Sequence, residues 1–354
     1  MNILEKYIGR AITTGVLSVL GVLMVLYAFM GFVNEFDQIG RHQYTLWHAI
    51  GYSLLRLPER LYQLFPLATL LGAMIGLGAL SRNSELTVIR SSGVSLLRLV
   101  MAIMKTALLL IVMAVIIGEV IAPPVQQYAN LKRIKALSQE VSLNTEYGLW
   151  ARDGETFIHV RRVNNKGQLQ GVTLYKFNSD HHLNGVIRAR SADYMEDKWL
   201  LKNVTQTNIE KNRTVKKRLK EMSWPSLLDP ELVNVVSVTP EMLPLWKLNS
   251  YIDYLQENGL DAAQYKLAFW SKIIMPLTII AMVLIAIPFV FVSQRQAPIG
   301  KQILIGFLVG ISFFIVNKLV AQVGVVYQLP PLLVVSLPTL LVVIVAFSLL
   351  RRIR

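Results

Sequence analysis

Six apolar stretches, each long enough to cross a lipid bilayer, lie three and three on either side of one polar insert, which leaves few folds open to the chain. They run roughly over residues 11–33, 62–80, 96–122, 267–292, 302–326 and 332–350; about 20 apolar residues in a helix cross a hydrocarbon core of ~30 Å. No water reaches that core, so every backbone N–H and C=O must be bonded inside the segment, which makes each stretch a helix. The fold class that follows is an α-helical integral membrane protein with six transmembrane helices, three plus three, and an inserted domain. Residues 1–124 are expected to hold helices 1–3, residues 125–264 the insert with its helical connectors, and residues 265–354 helices 4–6.

The net charge of +14 does not mark a nucleic-acid binder. Bases and acids nearly balance in the insert, 19 against 16, leaving 17 against 6 in the membrane part. The excess is juxtamembrane, where basic residues set orientation. Lys6, Arg10, Arg82, Arg90, Arg98, Arg295, Lys301, Arg351, Arg352 and Arg354 fall on one side of a six-span arrangement, and Arg41, Arg56 and Arg60 on the other. Both termini are therefore expected in the cytoplasm and the insert outside it. The first apolar run is of full spanning length with no small-residue cleavage site, so it is expected to stay as a span rather than be removed as a signal peptide.

Within the insert the pattern changes at Tyr147. Short runs alternate apolar and polar residues, as in Thr156–Val160, Gly171–Phe177, Gly185–Ala189 and Trp199–Val204, with turn residues between them. Period-two alternation predicts strands, and the expected fold is an all-β sandwich or jelly roll. Helical connectors bracket it: residues 124–140 continue from the third span, and residues 243–258 lead back, with Gly259 as the stop.

Phosphate-binding loops, dinucleotide fingerprints, His-Glu-x-x-His and nucleophile elbows are all missing from the sequence. Cysteine is absent too, which removes thiol chemistry and Cys-based metal sites. His181 and His182 are adjacent and would face opposite sides of a strand, so a metal role is not expected of them. The chain reads as non-catalytic, with energy supplied by a partner. Glu119 is the only acid in the third apolar run, just before the Ala122-Pro123-Pro124 exit.

Two local patterns stand out. Residues 82–93 predict a short helix between spans 2 and 3: Asn83 or Ser84 can cap it, Glu85 suits its positive end, and Gly93 can end it. Such a helix is either a solvated loop or the handle that a soluble motor grips. Gly72-x-x-x-Gly76 and Gly306-x-x-x-Gly310 let backbones approach closely within a bilayer, either inside the chain or, for Gly306 and Gly310, at a gate between subunits.

The residues Lys6-Tyr-Ile-Gly-Arg10, Phe36-Asp-Gln38, Phe65-Pro-Leu-Ala68 with Leu71-Gly-Ala73, Ser84-Glu-Leu86 with Ser92-Gly93, Met104-Lys-Thr106, Gly118-Glu119 with Ala122-Pro123, Gly148-Leu-Trp-Ala-Arg-Asp-Gly154, and Trp270-Ser-Lys272 with Pro276-Leu277 occur in this order along the chain. Together they resemble the LptF/LptG permeases that export lipopolysaccharide. The resemblance implies a Gram-negative inner-membrane permease with a periplasmic β-jelly-roll, paired with its homologue LptF. It also implies a dimer of the ATPase LptB, which binds ATP and magnesium in place of this chain, and LptC, whose single helix reaches the gate between spans 1 and 5. By the same resemblance residues 82–93 form the coupling helix, with Glu85, Leu86 and Arg90 at the ATPase, and Arg41 and Arg133 contact lipopolysaccharide phosphates. Asn34 and Glu35 stand where the family carries a lysine, and Lys132 and Lys318 are the candidates to supply that charge.

Two other readings fit parts of the pattern. An ABC-associated mechanotransmission or lipoprotein-releasing subunit also passes ATPase strokes to a periplasmic domain but usually has four spans. A membrane receptor or scaffold with a periplasmic sensor would have no cytoplasmic ATPase partner.

Overall fold

The computed structural model describes residues 3–41, 43–137, 149–153, 155–163, 168–178, 182–195, 198–210, 213–224, 240–292 and 299–351. They form two compact units: one of the residues up to Ile39, Thr45–Asn130 and Lys266 onward, the other of Gly40–Tyr44 and Leu131–Tyr265.

The first unit is helical. In chain order it contains α1 (Ile3–Glu35), α2 (Leu46–Leu55), α3 (Leu57–Arg82), α4 (Glu85–Ser91) and α5 (Leu96–Val115). A π-helical turn, Ile116–Ile121, then leads without a break into α6 (Ala122–Leu137). After the insert come α8 (Ala263–Val292), α9 (Ile299–Val326) and α10 (Pro331–Arg351). Among the described residues six helices are long and apolar enough to cross a membrane: α1, α3, the continuous α5–α6 helix, α8, α9 and α10. Pro66, Pro276, Pro288 and Pro338 lie inside these helices rather than ending them, as membrane helices tolerate when neighbours satisfy the freed backbone groups. The ends carry ordinary signals: Pro58 in the first turn of α3, and Ser95 Oγ accepting from the Arg98 N–H at the start of α5.

α3 is the central helix. In its most apolar stretch 72 % of residues are buried inside the chain, against 11 % in α1 and in α9. The small residues of the sequence explain how it is enclosed. A Cβ built on Gly72 would sit 2.3 Å from Val16 Cα, and one on Gly76 2.5 Å from the Ala11 carbonyl oxygen. α1 and α3 therefore meet backbone to backbone, where no side chain fits. On the opposite flank α9 closes onto the same helix: a Cβ on Gly306 would reach Met74 Sδ at 2.6 Å, and one on Gly310 would reach Leu67 Cδ1 at 2.1 Å. Gly306 and Gly310 thus pack α9 against α3 within the chain. Replacing Gly72 with valine is expected to force α1 from α3 and to cost at least about 1–3 kcal/mol, seen as a lower midpoint of thermal unfolding in detergent. Gly21→Ala, where nothing lies within 4 Å, is expected to leave the midpoint unchanged.

In the second unit, α7 (Leu245–Glu257) ends at Asn258 and Gly259, whose φ is +62°. Six strands, β1 (Leu149–Asp153), β2 (Thr156–Val163), β3 (Leu169–Phe177), β4 (Leu183–Met195), β5 (Lys198–Glu210) and β6 (Arg213–Trp224), form one antiparallel sheet in sequential order. The expected sandwich or jelly roll would need a second sheet, and the described strands contain none; residues 138–148 and 225–239 lie outside the description.

The sheet is apolar on one side in an unusual way. Val160, Val172, Ala189 and Val204 form one buried row, and Leu169, Ala192 and Leu201 another. Within each strand these rows are three residues apart, an odd spacing that would normally put them on opposite faces. The alternation slips by one residue at a shared row through Arg161, Gly171, Arg190 and Asn203, and the left-handed residues Gly171 (φ +65°) and Asn203 (φ +52°) sit on it. Glycine and asparagine tolerate that conformation. The row is a crease that lets both stretches turn apolar side chains to the same side. Beside it Lys202 Nζ lies 2.8 Å from Asp193, which also accepts from Gln168. The Lys202 hydrogen bond holds the Asp193 carboxyl below the usual carboxylate range, and Asp193 raises Lys202. The Asp193 contribution is thus present above about pH 4 and fades as pH falls, while that of Lys202 fades only as pH rises past about 10.

Candidate functional site

α4 is a two-turn helix at the end of α3. Gly93, with φ +90°, ends it as the sequence predicts. Its start differs from expectation: Ser84 occupies the N-cap position in a left-handed conformation (φ 60°) and its side chain makes no capping hydrogen bond. The polar contacts gather on Glu85 instead. Tyr7 Oη, from the second turn of α1, donates to Glu85 Oε2 at 2.7 Å, and Asn83 Nδ2 donates to Oε1 at 3.2 Å. Leu86, expected to meet a partner, is fully buried and belongs to the hydrophobic core of the helical unit. Facing the core is the ordinary fate of a leucine in the first turn of a short amphipathic helix, and here it anchors α4 to the bundle. The Arg90 guanidinium lies 5.9 Å above the Phe291 ring at the end of α8, a cation–π contact that fixes the other end of α4. What α4 leaves exposed includes Thr87 and Val88, the latter 63 % accessible. Val88 and Tyr7 are the residues that sequence reasoning missed here.

A second polar cluster lies where α3 begins. Glu59 is buried and accepts from Gln126 Nε2 of α6 at 2.7 Å and from Gln63 Nε2 at 2.9 Å. One helical turn further along α3, Tyr62 packs its ring on Gly118, where a Cβ would come within 2.3 Å of it. Next to that ring, Lys272 Nζ of α8 donates to Glu119 Oε1 at 2.7 Å, with side-chain exposures of only 7 % and 11 %. The Lys272 ammonium is also 5.7 Å from the Tyr62 ring centroid. Glu119 sits within the π-helical turn, the kind of local insertion that recurs at functional positions. The sequence flagged Glu119 alone. Its partner was findable, because Lys272 is the only charged residue in the apolar run 267–292, and an acid in a span calls for a base on a neighbour.

Of the residues expected to form a basic rim, three belong to one unit. The loop Gly40–Tyr44, which carries Arg41, is docked on α6 through the Gln43 N–H and the Ala136 carbonyl at 3.2 Å. Lys132 and Arg133 lie about one helical turn before Ala136 on the same helix. Arg41 and Lys132 are exposed and Arg133 is half-buried. Lys318 lies on the exposed side of α9 beside Phe314, Ile315 and Leu319, about 12 Å from the end of the helix by its rise. Its four-carbon stem can run along that apolar surface while the ammonium reaches for water. At the end of α1, Asn34 is exposed and Glu35 is buried.

The sequence model described as "Lipopolysaccharide export system permease LptF/LptG" matches residues 6–352. The chain belongs to this family. It is 36 % identical to the "Lipopolysaccharide export system permease protein LptG" of Haemophilus influenzae over 354 residues, 99 % of each chain. It is 32 % identical to the protein of the same description from Escherichia coli K12, over 99 % of this chain and 98 % of that one. An LptF/LptG permease is a multi-pass membrane protein, so the six apolar helices are its spans. The exposed apolar residues of α1 and α9 then face lipid, cargo or another membrane protein rather than water.

Proposed function

We propose that this LptF/LptG-family chain is the permease subunit, in the LptG position, of an ATP-driven transporter. It would extract lipopolysaccharide from the outer leaflet of the inner membrane and pass it to a periplasmic bridge. LptF supplies the other half of the cavity, an LptB dimer hydrolyses ATP, and LptC adds its helix near α1 and α9. The β unit is a periplasmic jelly roll, and both termini are cytoplasmic.

The observation that carries this reading is the layout of α1. At its start Tyr7 meets Glu85 of α4, and six residues beyond its end Arg41 sits in the loop docked on α6, the helix that carries Arg133. Between them Val22, Val25, Leu26, Phe29 and Met30 are exposed. Moving each acyl CH₂ into water costs ~0.8 kcal/mol, so a multi-chain lipid needs an apolar wall along its path. Its phosphates need cations at the wet end, for which the planar arginine fork is suited. Six spans favour this reading over a four-span mechanotransmission subunit. An ATPase gripped at α4 distinguishes it from a sensor.

Two measurements test it together. Cysteines introduced singly at Lys217 and Arg351 of the cysteine-free chain are expected to react with an impermeant reagent from opposite sides of the membrane. The ATPase is expected to co-purify with the wild-type chain and to be lost on Glu85→Lys, which reverses the charge at the docking point. Labelling of both cysteines from the same side, or an ATPase indifferent to Glu85→Lys, would contradict the assignment.

A further inference from the structure

The α4 end of α1 is tied to the helices around it by polar links as well as by packing. Along Gly15–Gly72 and Ala11–Gly76 the backbones of α1 and α3 touch. Alongside this seam an open groove of about 470 Å³ runs from Ser18 and Gly15 past Arg10 to Tyr7, Asn83 and Glu85. Ile8 and Ile12 bury the other flank of α1 in the core, but on the flank facing the groove packing is incomplete, and the tie to α4 there is polar. Two polar contacts hold this end of α1, the first of them at the mouth of the groove. Tyr7 Oη donates to Glu85 on α4, and Lys105 on α5 forms an ion pair with Glu5. They reach the element inside the α3–α5 turn and the helix that follows it, so the first two turns of α1 are held on both sides of α4.

We propose that Tyr7 is a positioning residue, and that with the Glu5–Lys105 pair it makes α1 move with α4 when the ATPase closes. This rests on the reading of α4 as the ATPase-docking helix. The chemistry allows both engagements at once. An ionised carboxylate offers about four acceptor positions, and Tyr7 and Asn83 occupy one on each oxygen, leaving one on each for a donor of the ATPase. Glu85 then lies between the partner and α1, the helix whose open apolar face lines the proposed cargo path. A displacement at α4 reaches that face through Tyr7.

The test uses the whole transporter purified with its ATPase and reconstituted with lipopolysaccharide, reading lipopolysaccharide released per ATP hydrolysed. Tyr7→Phe removes one hydroxyl and keeps the ring. It is expected to keep the ATPase bound and turning over while lowering the yield per ATP on the order of tenfold, the scale of one lost hydrogen bond to a charged group. An unchanged yield would overturn the proposal. So would loss of the ATPase from a Tyr7→Phe complex of normal thermal stability, because Tyr7 would then serve docking and not transmission. Should Tyr7→Phe be unstable, the second link decides. Glu5→Lys and Lys105→Glu singly are expected to lower the yield per ATP and the double swap to restore it, and a swap no better than the singles overturns the proposal. Glu85→Lys keeps the two readings apart. If that variant retains the ATPase and exports normally, the docking assignment fails whatever Tyr7→Phe shows.

Discussion

Glu119→Ala is expected to lower the stability of the membrane unit by about 3–5 kcal/mol, and Glu119→Leu combined with Lys272→Met to recover most of that loss. The asymmetry comes from what each variant leaves behind. The single change strands the Lys272 ammonium, 7 % exposed, with its carboxylate partner gone, whereas the double change replaces both charges with apolar groups of similar size. Tyr62 cannot compensate, since a ring face gives a cation about 2 kcal/mol at most when desolvated. Thermal unfolding in detergent, followed by tryptophan fluorescence, measures both. If the single and double variants fell equally, the side-chain volumes rather than the charges would be holding the π-helical turn against α3 and α8.

Reversing both arginines, Arg41→Glu with Arg133→Glu, is expected to weaken lipopolysaccharide binding by at least about 100-fold, since each charge-assisted contact to phosphate is worth roughly 1.5–3 kcal/mol and repulsion is added. Arg41→Lys with Arg133→Lys keeps the charge and loses the fork, so a smaller loss of about three- to tenfold is expected. Photocrosslinkers placed at positions 41 and 133 report contact directly. Normal export by the double reversal, with no crosslink from either position, would leave these arginines as anchors of the Gly40–Tyr44 loop and α6. Lys132 lies beside Arg133 and is the residue to reverse next.

The membrane helices were legible because long apolar runs permit little else. So were β2 to β5, whose alternation of buried and exposed residues is written into their composition. β6 was not, because Arg213-Thr-Val-Lys-Lys-Arg-Leu-Lys220 lies at the sheet edge, largely exposed, and its charges follow solvent and protect the edge rather than marking a face. The crease was hidden for a related reason. A phase slip at Gly171 and Asn203 looks like the end of a strand until neighbouring strands show the same slip at the same row. At the site, Glu85 and Glu119 could be singled out as acids in unusual places, but Tyr7 lies 78 residues from Glu85 and Lys272 153 from Glu119, and only folding brings them together. Leu86, Gly306 and Gly310 all face their own bundle, a direction the sequence left open. A short helix and a Gly-x-x-x-Gly pair each present one face to their own bundle, and pattern alone does not say which.

In the proposed mechanism, strokes of a separate ATPase, received at α4, drive lipopolysaccharide out along α1. The most direct test is release of lipopolysaccharide from proteoliposomes holding the purified transporter to a soluble periplasmic acceptor, with and without ATP, for the wild-type chain and Glu85→Lys. ATP-dependent release by the wild type and background release by Glu85→Lys is the predicted result; equal release by both, or release by the wild type without ATP, would contradict it.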